Sequence, residues 1–367
     1  MFKEHHSEFS SLRTFFWPVH RRELKKLLPM LLIFFLLSFC YNTLRTMKDI
    51  LAISNPGAGA RVIPFIKMWV MFPGTVLLTF LFTRLSNRLQ RETVFYWMLS
   101  LFLGFFGLFA FFIYPNIELM NADRLADFLT LRLPEGAAGF IAMIRYWPCS
   151  IFYAMSELWS NIVVFLLFWG FANEVTKIGE AKRFYGLLGI GANSSGIAAG
   201  YFSMIIMDKN FIPHLPFGQT VWEQKLSIII ICILVAGFLA LILHRWMHLN
   251  VLSSSDYEES VQQGPGQKRR RMSMTDNFRY LFNSKYLLMI AAITILYNVI
   301  INLVEVLWKD RVWSMLLDKD AYGLYMNKVT MIIGLIATIT SAFVSTNLIR
   351  RFGWTTTAML TPAILLI

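Results

Sequence analysis

The stretch Leu27-Leu-Pro-Met-Leu-Leu-Ile-Phe-Phe-Leu-Leu-Ser-Phe-Cys40-Tyr-Asn-Thr-Leu-Arg45-Thr-Met-Lys48-Asp49-Ile-Leu-Ala-Ile53 is an apolar run interrupted near its end by three charges. A helix needs about 20 mostly apolar residues to cross the roughly 30 Å of bilayer hydrocarbon, and this run is longer. Positions 45, 48 and 49 have i, i+3, i+4 spacing, which places them on one helix face. The apolar register resumes through Ile50, Leu51 and Ile53, and Asn55-Pro56-Gly57 ends the helix. The charges therefore lie inside a span, where an ionisable group faces a cavity or a partner and not lipid.

Outward from this stretch the same pattern recurs. Runs of spanning length fall at 27–53, 62–83, 93–114, 147–172, 183–206, 226–248, 286–308 and 324–346, and a ninth begins near Trp354. Hydrophobic residues make up 56% of the chain and charged residues 15%, which excludes an ordinary soluble globule. The net charge of +12 does not indicate a nucleic-acid partner, because Lys and Arg concentrate in the loops on one side of a membrane protein. Placing the N-terminus inside puts 21 Lys/Arg in inner segments and nine in outer ones, with Arg45 and Lys48 inside the first span and Lys67 and Lys328 inside the second and eighth. The first 26 residues carry six Lys/Arg and no cleavage pattern, so the first span acts as its own insertion signal. Cys40, Cys149 and Cys232 sit in or beside apolar runs without a ligand spacing and read as small packing residues.

The long inner connection 249–285, with Ser253-Ser-Ser-Asp-Tyr-Glu-Glu-Ser and Lys268-Arg-Arg-Arg271, has the composition of a linker beside a lipid surface. It divides a basic N-terminus (1–26) and six spans (27–248) from a partial second half (286–367). An internal echo supports the division. Arg45-Thr-Met-Lys48-Asp49 is answered by Glu305-Val-Leu-Trp-Lys309-Asp310. Thr83-Arg-Leu85-Ser-Asn-Arg88 is answered by Thr346-Asn-Leu348-Ile-Arg350-Arg351, and both pairs stand at an offset of about 261 to 263 residues. The expected fold is an all-α polytopic membrane protein. It is a major-facilitator-like bundle of two parallel halves, of which this chain holds about eight and a half of twelve helices.

Glu157 lies ten residues into the fourth span, at roughly 15 Å depth by helix rise. An acid there costs about 2.5 kcal/mol or more on insertion scales, so it lines a polar cavity or fixes helix packing through a salt bridge. Ser156, Ser160 and Asn161 beside it favour the cavity. Glu305 stands toward the outer end of the seventh span, four residues before Lys309, which could simply neutralise it; Asn298 and Asn302 extend a polar stripe along that helix. In the first span Asp49 is available to Arg45, which would leave Lys48 free for phosphate oxygens; alternatively all three charges snorkel to the outer interface. The run Gly186-Leu-Leu-Gly-Ile-Gly191-Ala-Asn-Ser-Ser-Gly196-Ile-Ala-Ala-Gly200 lacks a preceding strand and a closing Lys-Ser/Thr, so it reads as close helix packing and not a phosphate loop. His244 and His248 flank Arg245 at the inner interface with no third ligand, which favours anchoring over a metal. Neither a metal nor a cofactor is expected, and the lack of hydrolase motifs argues against an enzyme.

Several motifs resemble the nucleotide transporters of the ATP/ADP translocase family of plastids and obligate intracellular bacteria. They are Leu44-Arg-Thr-Met-Lys48-Asp49, Ile63-Pro-Phe-Ile-Lys67-Met-Trp69, Ser156-Glu157-Leu-Trp159, Phe168-Trp-Gly-Phe-Ala-Asn173-Glu174, Glu180-Ala-Lys-Arg-Phe-Tyr185 and Ile301-Asn302-Leu-Val-Glu305-Val306. The resemblance runs from about Leu12 to the end and is distinct from the mitochondrial carriers. It implies twelve spans and alternating-access transport, commonly of ATP against ADP, with other nucleotides or proton coupling in some members. By motif it places a functional lysine on Lys48 and functional glutamates on Glu157 and Glu305, with Arg45, Asn161 and Asn302 as further substrate-facing candidates. Where exchangers of the family usually read Arg-Asp-Thr-Lys-Asp, this chain has Arg45-Thr46-Met47-Lys48-Asp49. The missing acid leaves the site more positive and suits a broader set of nucleotides. The expected location is the inner membrane of an intracellular bacterium, or alternatively the plastid inner envelope. A proton-coupled symporter and a non-transporting nucleotide sensor stand as the other readings.

Overall fold

A computed structural model describes residues 19–252 and 284–343. The N-terminal tail to residue 18, most of the linker with its basic quartet, and the ninth run lie outside the described residues, as does the second member of the loop echo, 346–351. Among the described residues there are helices and no strands. Eight helices are long and apolar enough to cross a membrane: α1 Glu23–Ile53, α2 Val62–Arg88, α3 Arg91–Met120, α4 Trp147–Val175, α5 Arg183–Met207, α6 Val221–Leu252, α7 Lys285–Leu316 and α8 Lys319–Ala342. The chain is an all-α polytopic membrane protein. Two short helices, Asp123–Thr130 and Ala138–Arg145, occupy the α3–α4 connection.

All eight expected spans are present, and several run past their apolar cores. The largest extension is in α7, which continues to Leu316 and ends where Leu317 adopts a left-handed conformation with φ 51°. Helical hydrogen bonding does not stop where hydropathy falls, and Trp308-Lys309-Asp310-Arg311 is as competent a helix former as the oily turns before it. Glu305 thus lies well inside the helix and not at its outer end. Four spans carry wide π-helical turns: Lys67–Met71 in α2, Phe109–Ile113 in α3, Trp159–Phe168 in α4 and His248–Leu252 in α6. Each shifts the side-chain register that follows it.

The core sits around α1. Its residues Leu27, Met30, Ile33, Leu37, Leu44, Met47 and Ile50 are buried against α4, α5 and α6. Trp159 of α4 is fully buried and donates its indole N–H to the Leu37 carbonyl at 3.0 Å. Lipid tails are as apolar as Leu, so helix association in a bilayer depends on close packing and interhelical hydrogen bonds and not on hydrophobic transfer. The glycine run of α5 supplies that closeness against α8. A Cβ added at Gly200 would stand 2.7 Å from both the Asn327 carbonyl oxygen and the Met331 amide nitrogen, and one added at Gly334 would stand 2.7 Å from the Ile197 nitrogen. Asn193 Nδ2 donates to Ser341 Oγ at 2.7 Å across the same seam.

His244 departs from the expectation of an interface anchor. It is buried and lies flat on Phe95, with ring centroids 4.0 Å apart and an interplanar angle of 1°. The surrounding aromatics, Tyr96 and Phe171, make this a packing position. Cys40 and Cys149 are buried free thiols, in keeping with a packing role.

Gly200→Ala forces backbone apart along the α5–α8 seam and is expected to cost about 1–3 kcal/mol, lowering the thermal unfolding temperature of the purified protein in detergent. Gly104→Ala, whose added Cβ meets nothing within 4 Å, is expected to leave that temperature unchanged or raise it.

Candidate functional site

Four helices bring seven charged side chains into one alternating chain. From α4, Glu157 lies 3.1 Å from Lys48 Nζ of α1, and Lys48 also lies 3.1 Å from its neighbour Asp49. The other Asp49 oxygen, Oδ2, meets Lys309 Nζ of α7 at 2.7 Å. Lys309 in turn reaches Glu305 Oε1 at 2.8 Å, one helical turn back. Glu305 is approached by Arg45 of α1 at 3.8 Å and by Lys67 of α2 at 4.0 Å. Lys67 also donates a hydrogen bond to Asn302 Oδ1 on α7, while Asn302 Nδ2 donates to the Asn298 carbonyl at 2.7 Å.

Accessibility divides this chain into two parts. The Lys48, Asp49 and Lys309 side chains are 3%, 1% and 2% exposed. Glu157 and Lys67 are each 24% exposed and Arg45 is 41% exposed. The Lys48 ammonium also stands 4.0 Å from the centre of the Tyr153 ring, a cation–π contact that partly replaces the hydration it has lost. A buried pair is stable only when each charge is both paired and hydrogen-bonded, and the inner part meets that condition. Among the accessible charges, Arg45 and Lys67 meet Glu305 on longer contacts, open to whatever enters.

The pairing differs from the sequence expectation. Asp49 does not satisfy Arg45 and Lys48 is not free: Asp49 is shared between Lys48 and Lys309, and Arg45 turns to Glu305. Snorkelling to the interface does not describe Lys48 either, since its ammonium is enclosed. The reason is three-dimensional. α7 delivers Lys309 to the face of α1 where Asp49 points, and no spacing within α1 could reveal that donor. Glu305 does pair with Lys309, and it also collects Arg45 and Lys67, so Lys309 does not account for all of its surroundings.

Lys48, Glu157, Glu305, Arg45 and Asn302 are brought together. Asn161 is exposed and takes no part in the chain of charges among the described residues. Lys67 had no assigned role from sequence, although the signal was present: it is an ionisable residue five positions into the second apolar run. A cavity of about 1100 Å³ lined by Arg91, Glu92, Phe95, Phe171, His244 and His248 lies at the other end of the bundle, away from these charges.

The arrangement holds four cations and three acids in the membrane-spanning region, so it carries one net positive charge before any ligand arrives. It suits a polyanion. Comparison with known proteins bears on which one. The sequence profile of the TLC ATP/ADP transporter family matches residues 2–367. The chain belongs to the TLC ATP/ADP transporter family. It is 40% identical over 359 residues to ADP,ATP carrier protein 1 of Chlamydia muridarum, covering 98% of this chain and 68% of that protein. It is 38% identical over 369 residues to ADP,ATP carrier protein 1 of Chlamydia pneumoniae, covering 100% and 71%. With ADP,ATP carrier protein 1 of Rickettsia conorii it shares 35% identity over 359 residues, covering 98% and 70%. No solved structure matches the chain. As a TLC family member the chain is a transporter and not an enzyme.

Asp49→Asn removes the carboxylate that two buried ammonium groups share, leaving Lys48 only Glu157 and Lys309 only Glu305, and breaking buried pairs costs about 3–5 kcal/mol. Its unfolding temperature in detergent is expected to fall well below that of Glu157→Gln, which leaves Lys48 paired with Asp49.

Proposed function

We propose that this protein exchanges nucleotides across a membrane by alternating access, carrying ATP against ADP. The observation that carries the reading is the net-positive chain of charges from Glu157 to Lys67, set within the spans and assembled from α1, α2, α4 and α7. Charges are tolerated at that depth where they face one another or a polar path, and a path for nucleotides needs cations that phosphates can engage. Lys48 anchors the site, Glu157 and Glu305 balance its charge, and Arg45 and Asn302 meet the substrate. Asn161 has weaker support than the others because it stands outside the chain of charges. The names of the chlamydial and rickettsial relatives supply the choice of ATP and ADP.

The chain comprises an N-terminal six-helix half, a basic cytoplasmic linker and part of a second half. It resides in the inner membrane of an intracellular bacterium, with the N-terminus in the cytoplasm as the bias in Lys and Arg indicates. The Thr46-Met47 pair, where an acid would make the surroundings more negative, supports acceptance of other nucleoside triphosphates as well.

The test is uptake of labelled ATP by proteoliposomes holding the full-length protein. Uptake is expected to require ADP or ATP inside and to ignore an imposed pH gradient. Lys48→Ala is expected to abolish it. Uptake into vesicles without internal nucleotide, driven by protons, would refute exchange, and unchanged uptake by Lys48→Ala would remove Lys48 from the site.

A further inference from the structure

Lys48 and Lys309 are poor first contacts for a phosphate. Each already holds two carboxylates at 2.7 to 3.1 Å, and each is nearly sealed from solvent. The cations on long contacts are different. Arg45 and Lys67 come from separate helices and converge on one carboxylate, Arg45 at 3.8 Å from Glu305 Oε1 and Lys67 at 4.0 Å from Oε2. Both remain partly accessible. A carboxylate presents two oxygens on one atom, and so does any edge of a terminal phosphate. The Glu305 carboxylate therefore occupies the place between these two cations that a phosphate edge fits.

What happens to Glu305 when a phosphate takes that place follows from its other contact. Lys309 remains 2.8 Å away on the same helix, so Glu305 can release Arg45 and Lys67 without becoming an unpaired acid in the membrane. Lys309 stays held by Asp49 throughout. The exchange replaces two long contacts with shorter, charge-assisted ones and leaves the inner pairs intact. It also loosens α7 from α1 and α2, because Glu305 is the α7 group that holds Arg45 and that shares Lys67 with Asn302. The position of Lys67 fits this role: it opens the wide turn Lys67–Met71, and such turns tend to occur at functional sites.

We propose that Lys67 is a substrate-contacting residue of the nucleotide site, gripping a terminal phosphate together with Arg45, and that Glu305 competes with that phosphate for both cations. This inference rests on the nucleotide-exchange reading. It assigns a distinct role to each of three side chains: Lys67 and Arg45 favour binding, and Glu305 opposes it.

The opposed signs make the test. The full-length protein is purified with Lys67→Ala, Lys67→Arg and Glu305→Gln substitutions. Nucleotide affinity is read from the ATP concentration dependence of thermal stabilisation in detergent, and KM and maximal rate from exchange in proteoliposomes. Losing a charge-assisted hydrogen bond is worth about tenfold in affinity, so Lys67→Ala is expected to weaken ATP binding and raise KM by about that factor, with Lys67→Arg largely restoring both. Glu305→Gln is expected to bind ATP more tightly than the unsubstituted protein while exchanging it more slowly. A KM and affinity unchanged in Lys67→Ala, or ATP binding weakened in Glu305→Gln, would overturn the inference. If the unsubstituted protein exchanges nucleotides while either of those results is found, only this inference fails. If the unsubstituted protein neither binds nor exchanges nucleotides, the nucleotide-exchange reading fails first.

Discussion

Asp49 is the hinge of this structure's electrostatics. Its carboxylate is 1% exposed and holds two ammonium groups, Lys48 beside it on α1 and Lys309 on α7. A lone charge enclosed there is costly, and these three persist because each is paired, with Glu157 and Glu305 completing the pairing of the two ammonium groups. Every other charged contact of the site hangs from this trio: Glu157 on Lys48, Glu305 on Lys309, and Arg45 and Lys67 on Glu305. An alternating chain of this kind ties four helices with few uncharged hydrogen bonds and is sealed at its middle and accessible toward both ends.

Packing serves the same end. The apolar helix faces would be as content against lipid as against each other, so the positions of α5 and α8 depend on small residues that let backbones touch. Gly196 and Gly200 on α5 meet Gly334 and Met331 on α8. Once α8 is drawn in, Thr330 comes within 3.5 Å of Thr46, and Tyr322 is enclosed beside the charges. The wide turns of α2 and α4 act at closer range. One begins at Lys67 and the other just after Glu157, so both local distortions lie next to residues of the charged chain.

The repeated Lys-Asp pair shows how a duplicated sequence is used unequally. Lys48-Asp49 and Lys309-Asp310 occupy corresponding places in α1 and α7. Lys309 crosses to Asp49, but Asp310 does not cross to Lys48. It accepts a hydrogen bond from the Ala60 backbone N–H at 3.3 Å, in the turn between α1 and α2. One acid serves the site and its counterpart steadies a loop, which breaks the symmetry and leaves the excess of cations that a phosphate-bearing substrate requires.

Much of this was legible in residue order. Apolar runs of spanning length, broken by short loops, dictate an all-helical membrane protein because backbone groups in hydrocarbon must be hydrogen-bonded within each segment. Lys48, Glu157 and Glu305 announced themselves because a charge inside such a run is expensive and has to be accounted for. The small-residue run of α5 declared its packing in the same way, through the spacing of its glycines. Partnership was not legible. Arg45 and Asp49 have ideal spacing for each other within α1, yet Asp49 is claimed by Lys309 from a helix more than 250 residues away in sequence, and Lys67 stood in plain view without a role until α7 was set beside it. Local spacing says which side chains of one helix can meet. Which of them do meet depends on the competing partners that packing brings from other helices, and at these short distances the better-placed donor prevails.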